Sequence, residues 1–190
     1  NTNMNHEVTS SYSLVVRVTD DGTGSLFDET TVVINIGDEN DAPVLAAAGP
    51  FSIGEHSGDT DAVGSIVVSD EDVPADTMTY SITGGTGSGL FSVDSSGNIT
   101  VNGNGNFDFE GGTTSYTLDL KVNDGTIDSN TITVTVNITD ENDAPALTVT
   151  NPANILEGGT ANIGVAVLAG TDVDDLATGI TYTASNLVNG

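Results

Sequence analysis

The sequence contains no cysteine and no tryptophan. The absence of cysteine excludes disulfides, zinc–thiolate centres and cysteine nucleophiles. The absence of tryptophan, with aromatic residues at only 5% of the chain, leaves few rings for stacking on a sugar. Apolar runs are also too short to cross a bilayer, so no membrane span is expected.

Basic residues are almost as scarce, since two Lys or Arg face 28 Asp or Glu and give a formal net charge of −26 at pH 7. This excess repels nucleic acids and anionic membranes, so neither is an expected partner. Disorder would be the ordinary interpretation of so acidic a chain. However, 36% of the residues are hydrophobic, and they fall in strict alternation. A divalent cation reconciles the charge with a folded chain, and calcium needs only oxygen ligands, which are in excess here.

An internal repeat organises the chain. The hexapeptide Asp-Glu-Asn-Asp-Ala-Pro occurs at 38–43 and again 102 residues later at 140–145, each time after an alternating strand. The same offset aligns three further acids and a tyrosine: Glu55 with Glu157, Asp70 with Asp172, Asp72 with Asp174, and Tyr80 with Tyr182. The two hexapeptides therefore mark the boundaries of a repeat of about 100 residues.

Period-two patterning predicts strands throughout. It is clearest over 131–139, where Ile and Val take one face and Thr and Asn the other. The other predicted strands cover 12–18, 32–36, 51–54, 63–69, 77–83, 90–93, 98–101 and 118–122. About seven short strands per 100 residues, separated by Gly- and Asn-rich turns, predict an all-β chain of tandem Greek-key β-sandwiches of the immunoglobulin type, joined end to end. No segment has a helical period long enough for a sizeable helix.

The repeat boundaries predict three units. Residues 44–145 form one complete repeat, 1–43 the C-terminal part of a preceding repeat, and 146–190 the N-terminal part of the next. Because the sequence starts without Met and ends within the pattern, we expect a window from a longer tandem array.

The acidic motifs predict metal sites where units meet. Calcium takes six to eight oxygens, so a single short motif cannot complete its shell, and ligands must converge from several loops. A sandwich gathers its loops at two opposite ends. We therefore expect one group of acids beside 140–143 and another beside 38–41. The first group is Glu55, Asp108 and Glu110, and the second is Asp70, Asp72 and Asp124.

These motifs, in this order, resemble the cadherin repeat family, and the Gly-, Thr-, Ser- and Asn-rich composition resembles the bacterial cadherin-like tandem repeats of large secreted adhesins. The matching elements are the strand-A glutamate (Glu55, Glu157), the DxD motif (Asp70/Asp72, Asp172/Asp174), the DxE motif (Asp108/Glu110), the late aspartate (Asp20, Asp124) and the DxNDxP linker. Asn5-His6-Glu7 matches DxE with Asn in the first position. The resemblance covers essentially the whole chain.

The resemblance implies calcium at two junctions, about two to three ions at each. Its ligands at junction one are Asn5, Glu7, Asp38, Asn40, Asp41, Asp70, Asp72 and Asp124, with the carbonyl oxygens of Glu39 and Ala42. At junction two they are Glu55, Asp108, Glu110, Asp140, Asn142, Asp143, Asp172 and Asp174, with the carbonyl oxygens of Glu141 and Ala144. Junction one lacks the upstream strand-A glutamate and has the neutral Asn5, and junction two lacks the final aspartate of the pattern. Either junction is therefore expected to lose one ion or to bind it weakly.

Catalysis is not predicted. His6 and His56 are the only histidines, and neither has a partner His or Cys by pattern, so the sequence predicts no zinc site and no acid–base pair. The paired carboxylates match a metal cage better than an enzyme site, and no nucleophile–base constellation stands out.

The predicted function is that of a calcium-stiffened stalk or adhesion repeat of a secreted or cell-surface protein. Its expected partners are neighbouring repeats of the same chain and either a cell-surface protein or polysaccharide or other copies of itself. Two alternatives stay open. One is a calcium-dependent carbohydrate-binding module. The other is a subunit of an extracellular filament, because the two partial repeats supply complementary strands.

Overall fold

The computed structural model describes residues 4–72, 77–103, 105–149, 168–174 and 180–183. Within these ranges every regular element is a strand, which confirms the all-β class. The strands are β1 (Ser11–Thr19), β2 (Phe27–Asn35), β3 (Val44–Leu45), β4 (Phe51–Gly54), β5 (Ala62–Ser65), β6 (Val68–Ser69), β7 (Thr79–Gly84), β8 (Phe91–Val93), β9 (Asn98–Val101), β10 (Ser115–Asn123), β11 (Ile132–Thr139), β12 (Ala146–Val149) and β13 (Leu168–Thr171). In the same ranges no helix has the length and apolarity needed to cross a membrane.

The central sandwich has two layers. One is a four-stranded sheet in the order β4-β11-β10-β7, in which β4 runs parallel to β11 and the other pairs are antiparallel. The other layer consists of the sheet β5-β9-β8 and the short pair β3-β6. The alternation of β10 and β11 turns their Leu, Val and Ile side chains inward, as period-two patterning requires. The buried hydrophobic residues are Leu45, Ile53, Val63, Ile66, Phe91, Ile99, Val101, Phe107, Leu118, Leu120, Val122, Val134, Val136 and Ile138.

The predicted strand 63–69 is wrong as one continuous element. The structure divides it into β5, which pairs with β9, and β6, which pairs with β3. Ile66 lies at the break, where its side chain enters the core and its amide donates to the carbonyl of Gly97. By contrast, β4 and β9 coincide with the predicted strands 51–54 and 98–101.

Two glycines are required by close approaches. A Cβ on Gly64 would lie 2.4 Å from the Phe51 ring, so this glycine lets a side chain of β4 pack directly on β5. Gly85 follows β7 with φ +96°, and a Cβ there would lie 2.1 Å from the carbonyl oxygen of Thr117. Gly64 therefore lets the two layers approach each other, and Gly85 lets the chain after β7 approach β10, more closely than a larger residue would allow.

Tyr116 belongs to an aromatic cluster at the edge of the core. Its ring packs edge-on against Phe91 and Phe107 with centroid distances of 6.2 and 5.7 Å. The structure thus gives this tyrosine a packing role.

Two further strand pairs flank the sandwich. β1 pairs antiparallel with β2 from Ser11 opposite Asn35 to Thr19 opposite Phe27, and β12 pairs antiparallel with β13. The buried hydrophobic core of the described residues lies between Leu45 and Ile138. This range falls inside the predicted complete repeat, although the division into 1–43, 44–145 and 146–190 stays a prediction.

Candidate metal centres

Junction one is formed where the linker between β2 and β3 meets loops of the central sandwich. The amide of Asp41 donates to Asp72 Oδ2 at 2.7 Å, and Asn40 Nδ2 donates to Asp124 Oδ2 at 2.9 Å. The linker is therefore held by carboxylates from two different loops, as the sequence predicts for this end of the sandwich.

Residues upstream of β1 reach the same place. Asn5 Nδ2 donates to Glu71 Oε2 at 2.7 Å, and Glu7, Asp41 and Glu71 each have a carboxylate oxygen within 4.8 Å of the other two. Oxygens bound to one calcium ion at 2.3–2.6 Å from the metal are separated by at most about 5 Å, so this group fits a shared ion.

Asp124 is preorganised by the turn after β10. Its side chain is buried and accepts the backbone amides of Thr126 and Ile127 at 2.6 and 2.7 Å. The hydrogen bond from Asn40 and those two amides lower the pKa of Asp124 below its ordinary value. The local chain thus fixes a carboxylate in its charged form beside the linker.

The pKa of Asp41 reflects the crowding of acids at junction one. Partial burial, followed by repulsion from Glu71, Asp72, Asp70 and Asp38, raises the pKa of this carboxyl. A cation bound among these groups would reverse the effect, because it favours the ionised form of each ligand.

Junction two is built around Glu55, which directly follows β4. The parallel pairing of β4 with β11 brings the Glu55 amide to the carbonyl of Thr139, at 3.2 Å. The buried Glu55 carboxylate accepts the amide of Phe109 at 2.8 Å and that of Glu141 at 2.9 Å, and these two bonds lower its pKa. One side chain thus joins the DxE loop to the second linker.

Glu110 lies in two groups of acids at junction two. Its carboxylate is within 4.8 Å of Glu55 and Asp108 in one group, and of Asp143 and Asp174 in the other. Its own backbone amide lowers the pKa of Glu110, but burial and repulsion from neighbouring carboxylates raise it overall. The amide of Asp143 also donates to Asp174 Oδ2, so the linker contacts the following unit.

Several predicted ligands have roles in holding the loops. Asp70 and Asp172 each accept the amide of the second Asp of their DxD motif, at 3.0 and 3.2 Å. Asn40 and Asn142 each donate to the carbonyl of the following Asp at 2.9 Å. These repeated contacts give both linkers the same local conformation.

The remaining predicted residues are placed as follows. Asp38 lies beside His6, at 3.4 Å from its Nδ1. Asp140 is near enough to Glu110 to raise its pKa. Glu39, Ala42 and Ala144 are exposed on the linkers, and the role of their carbonyl oxygens as ligands stays a prediction. Glu141, predicted to act through its carbonyl, turns its side chain over Gly54 and accepts the His56 amide at 3.2 Å. Glu157 lies outside the described residues.

Sequence reasoning missed Glu71, His6 and His56. Each occupies a variable position beside a motif, so motif matching passes over it. The available signal was weaker: Glu71 adds a third acid to Asp70-Glu71-Asp72, and both histidines sit directly beside a motif glutamate.

Both junctions present carboxylate and amide oxygens from separate segments, a donor set that suits a hard divalent cation such as calcium. Junction one combines residues from before β1, from the first linker and from two sandwich loops. Junction two combines residues from β4, the DxE loop, the second linker and the DxD loop beyond it.

Solved structures with the same fold are extracellular cadherin domains. A protocadherin gammaB7 EC3-6 cis-dimer matches with a TM-score of 0.65 and 23% identity, covering 91% of this chain and 45% of that one. Extracellular cadherin domains 1-5 of protocadherin gamma B2 match with 0.61 and 26%, covering 90% and 33%. Human protocadherin-24 EC1-2 matches with 0.58 and 21%, covering 74% and 70%. This chain thus spans less than half the length of the first two structures.

A comparison with curated proteins gave no match. A family model described as a bacterial Ig domain matches residues 40–137, just over half of the chain and nearly all of the central sandwich. The predicted cadherin-like fold is confirmed by the solved structures, and the chain belongs to the bacterial Ig domain family.

Proposed function

We propose that this chain is part of an extracellular stalk or adhesion protein in which calcium at junctions one and two stiffens the connection between successive sandwiches. The observation that carries the proposal is the sharing of linker groups with loops on both sides. Asp41 of the first linker lies in one group with Glu7 from before β1 and Glu71 of the sandwich. Glu55 of the sandwich accepts the amide of Glu141 in the second linker, and the amide of Asp143 in that linker donates to Asp174 beyond it.

The proposed ligands are the residues predicted from the motifs, with Glu71 added. At junction one they are Asn5, Glu7, Asp38, Asn40, Asp41, Asp70, Glu71, Asp72 and Asp124, with carbonyl oxygens of Glu39 and Ala42. At junction two they are Glu55, Asp108, Glu110, Asp140, Asn142, Asp143, Asp172 and Asp174, with carbonyl oxygens of Glu141 and Ala144. About two to three ions at each junction would bring the local charge close to neutrality.

The mechanism is electrostatic. Carboxylates held within 4.8 Å of one another repel, which favours opening of the linker in the absence of a cation. A bound cation converts this repulsion into attraction for every ligand, and the ligands belong to segments on both sides of the linker. Calcium would therefore turn two hinges into two rigid connections, while each sandwich keeps its own core.

The same proposal covers location and partners. The chain would act outside the cell, at the surface or in a secreted protein, where calcium is abundant enough for sites of moderate affinity. Neighbouring repeats of the same protein are its first partners, and a surface protein, a polysaccharide or another copy would be its adhesive target. Its role is structural rather than enzymatic.

Calcium calorimetry combined with small-angle scattering tests the function. We expect saturable binding to the intact chain, with a narrower range of shapes and a larger mean dimension than after chelation. Asp143→Ala should weaken binding at junction two and loosen that junction alone, with an unchanged far-UV spectrum. Asp21→Ala removes the same charge from the exposed end of the β1–β2 hairpin, and should leave both readouts unchanged. Equal effects of the two variants would contradict the proposal.

One observation favours filament assembly by strand complementation as a second candidate. The apolar face of the β1–β2 hairpin is exposed over Leu14, Val16, Val32 and Ile34. A second copy could cover this face with strands from its own C-terminal part. Sedimentation across a wide concentration range decides the matter: growth of the assembled species with concentration supports assembly, and a constant monomer excludes it.

A further inference from the structure

The two histidines of the chain both contact linker carboxylates. His6 Nδ1 lies 3.4 Å from Asp38 Oδ1, and His56 Nε2 lies 2.8 Å from Asp143 Oδ1. A histidine at this position is not part of the repeated DxE motif, because the residue that corresponds to His6 in the other copy is Phe109. Calcium uses oxygen ligands, so the calcium proposal gives the imidazoles no role.

Two of the distances around His6 match the edges of a tetrahedral metal site. Its Nδ1 is 3.4 Å from Glu7 Oε1 and 3.4 Å from Asp38 Oδ1, and the three residues can each offer a ligand atom within 4.8 Å of the others. A distance of 3.4 Å is longer than the usual N–H···O hydrogen bond of about 2.7–3.2 Å. It equals the edge of a tetrahedron whose vertices lie about 2.1 Å from a central zinc ion.

The site is reachable from solvent. A crevice of about 370 Å³ is lined by His6, Glu7, Ser10, Asp38, Glu71 and Asp72. The side chains of His6, Glu7 and Asp38 are 34%, 19% and 61% exposed, so an ion from solvent can reach all three.

We propose that His6, Glu7 and Asp38 form a site for a divalent transition metal, with zinc as the best-fitting ion and water as the fourth ligand. Imidazole nitrogen and carboxylate oxygen both bind zinc, and the nitrogen favours zinc over calcium. Glu7 and Asp38 also belong to the proposed calcium ligands, and each carboxylate has a second oxygen with which to serve that cage. The zinc proposal does not depend on calcium binding, because it rests only on the positions of His6, Glu7 and Asp38 in the structure.

His56 provides an internal contrast. Its Nε2 faces Asp143 at 2.8 Å, an ordinary hydrogen-bond distance, whereas its Nδ1 faces Glu141 at 3.4 Å. A single ion cannot take both nitrogens of one ring, so these two carboxylates do not combine with His56 in one site. Glu55 lies close to both His56 and Asp143, but the 2.8 Å between His56 Nε2 and Asp143 Oδ1 is shorter than the edge of about 3.4 Å that a zinc tetrahedron requires. The geometry therefore predicts metal binding at His6 and not at His56.

Cobalt(II) titration of the intact chain tests the proposal, since four-coordinate cobalt absorbs strongly in the visible range and zinc displaces it. The titration is run in calcium-containing buffer with the wild type, His6→Asn and the matched control His56→Asn. We expect one intense cobalt band per chain, abolished by zinc, weakened at least tenfold in affinity by His6→Asn and unchanged by His56→Asn. Because His6 is partly exposed, the variant should retain the wild-type far-UV spectrum.

Proton and nitrogen resonances of the imidazoles provide the second readout. Zinc should shift the ring resonances of His6 and leave those of His56 in place. Wild-type cobalt affinity in His6→Asn, or equal losses in both variants, would overturn the proposal. Calcium calorimetry on His6→Asn keeps the two proposals apart, because its calcium binding should remain close to that of the wild type whether or not zinc binds.

Discussion

The β1–β2 and β10–β11 hairpins have the same sequence pattern and opposite burial. Leu14 pairs across the first hairpin with Val32, and Leu118 pairs across the second with Val134, in matching registers. Leu118 is fully buried, whereas Leu14 is 51% exposed. Alternation thus decides which face of a strand is apolar, but a second layer decides whether that face leaves water.

The two hairpins differ in whether a second layer of strands covers them. β10 and β11 are flanked by β7 and β4 and covered by β5, β8 and β9, whereas among the described residues β1 and β2 pair only with each other. An isolated two-stranded hairpin is marginally stable in water. The two hairpins should therefore differ sharply in stability inside one molecule.

Hydrogen exchange should show the largest contrast. Amides of β10 and β11 can open only with the whole sandwich, whereas those of β1 and β2 can open locally, so their exchange rates should differ by at least about a thousandfold. Residue-resolved exchange by NMR measures both hairpins in one sample. Equally slow exchange in the two hairpins would show that something else completes the first one.

Matched leucine substitutions compare the energetics directly. Leu118→Ala removes a fully buried side chain and should lower the free energy of unfolding by about 2–5 kcal/mol. Leu14→Ala removes a half-exposed one and should change it by less than about 0.5 kcal/mol. Urea denaturation followed by far-UV circular dichroism measures both. A large loss for Leu14→Ala would mean that its face is covered in solution.

The aspartates that follow β1 and β10 allow the same comparison for calcium. Asp124 contacts Asn40 of the linker, whereas Asp20 accepts the amides of Gly22 and Leu26 in its own turn. Asp124→Asn keeps an acceptor for the turn but removes the charge, so we expect calcium at junction one to bind at least about tenfold more weakly. Asp20→Asn should leave the calorimetric titration unchanged, and equal losses would mean that the effect is only one of net charge.

The smallest expected effects concern the two basic residues, which occupy corresponding positions in the hairpins. Arg17 pairs with Glu29 and stacks on the Phe27 ring at 4.1 Å, whereas Lys121 reaches Asp128 at 3.3 Å. Arg17→Gln should speed exchange in β1–β2 by about two- to fivefold, because it removes an exposed cation–π contact. Lys121→Gln should change the unfolding free energy by no more than the error of extrapolation, about 10–15%. Unchanged exchange in β1–β2 after Arg17→Gln would mean that the contacts of Arg17 with Glu29 and Phe27 add nothing to the stability of this hairpin.

Local patterns explain how much of the fold the sequence could predict. β11 was predictable with its inward face, because Val134, Val136 and Ile138 alternate with Thr and Asn. The break at Ile66 was not, since it depends on which strand lies opposite each half of 63–69, and that is decided by tertiary pairing. The exposure of β1–β2 was likewise beyond the alternation alone.

At the junctions, too, local motifs predict some contacts and tertiary packing decides the others. Repeated motifs predicted that Asp41 would meet Asp72 and that Glu55 would meet the second linker, because repeat order and sandwich topology bring those loops together. Glu71 and His6 stand at variable positions whose side-chain directions depend on the packed loop, so no spacing rule indicates them. The repeat thus encodes the acids that the two junctions have in common, and the residues between the motif positions encode what differs from one junction to the other.

The central claim is that calcium converts the linkers from hinges to rigid connections, and pulsed electron resonance between two spin labels tests it most directly. The absence of native cysteine allows labels at the exposed positions Ser13→Cys and Ser88→Cys, on opposite sides of junction one. We expect a narrow distance distribution with calcium and a much broader one after chelation, with Asp41→Ala broad in both conditions. Equal widths with and without calcium in the otherwise unsubstituted labelled chain would contradict the account.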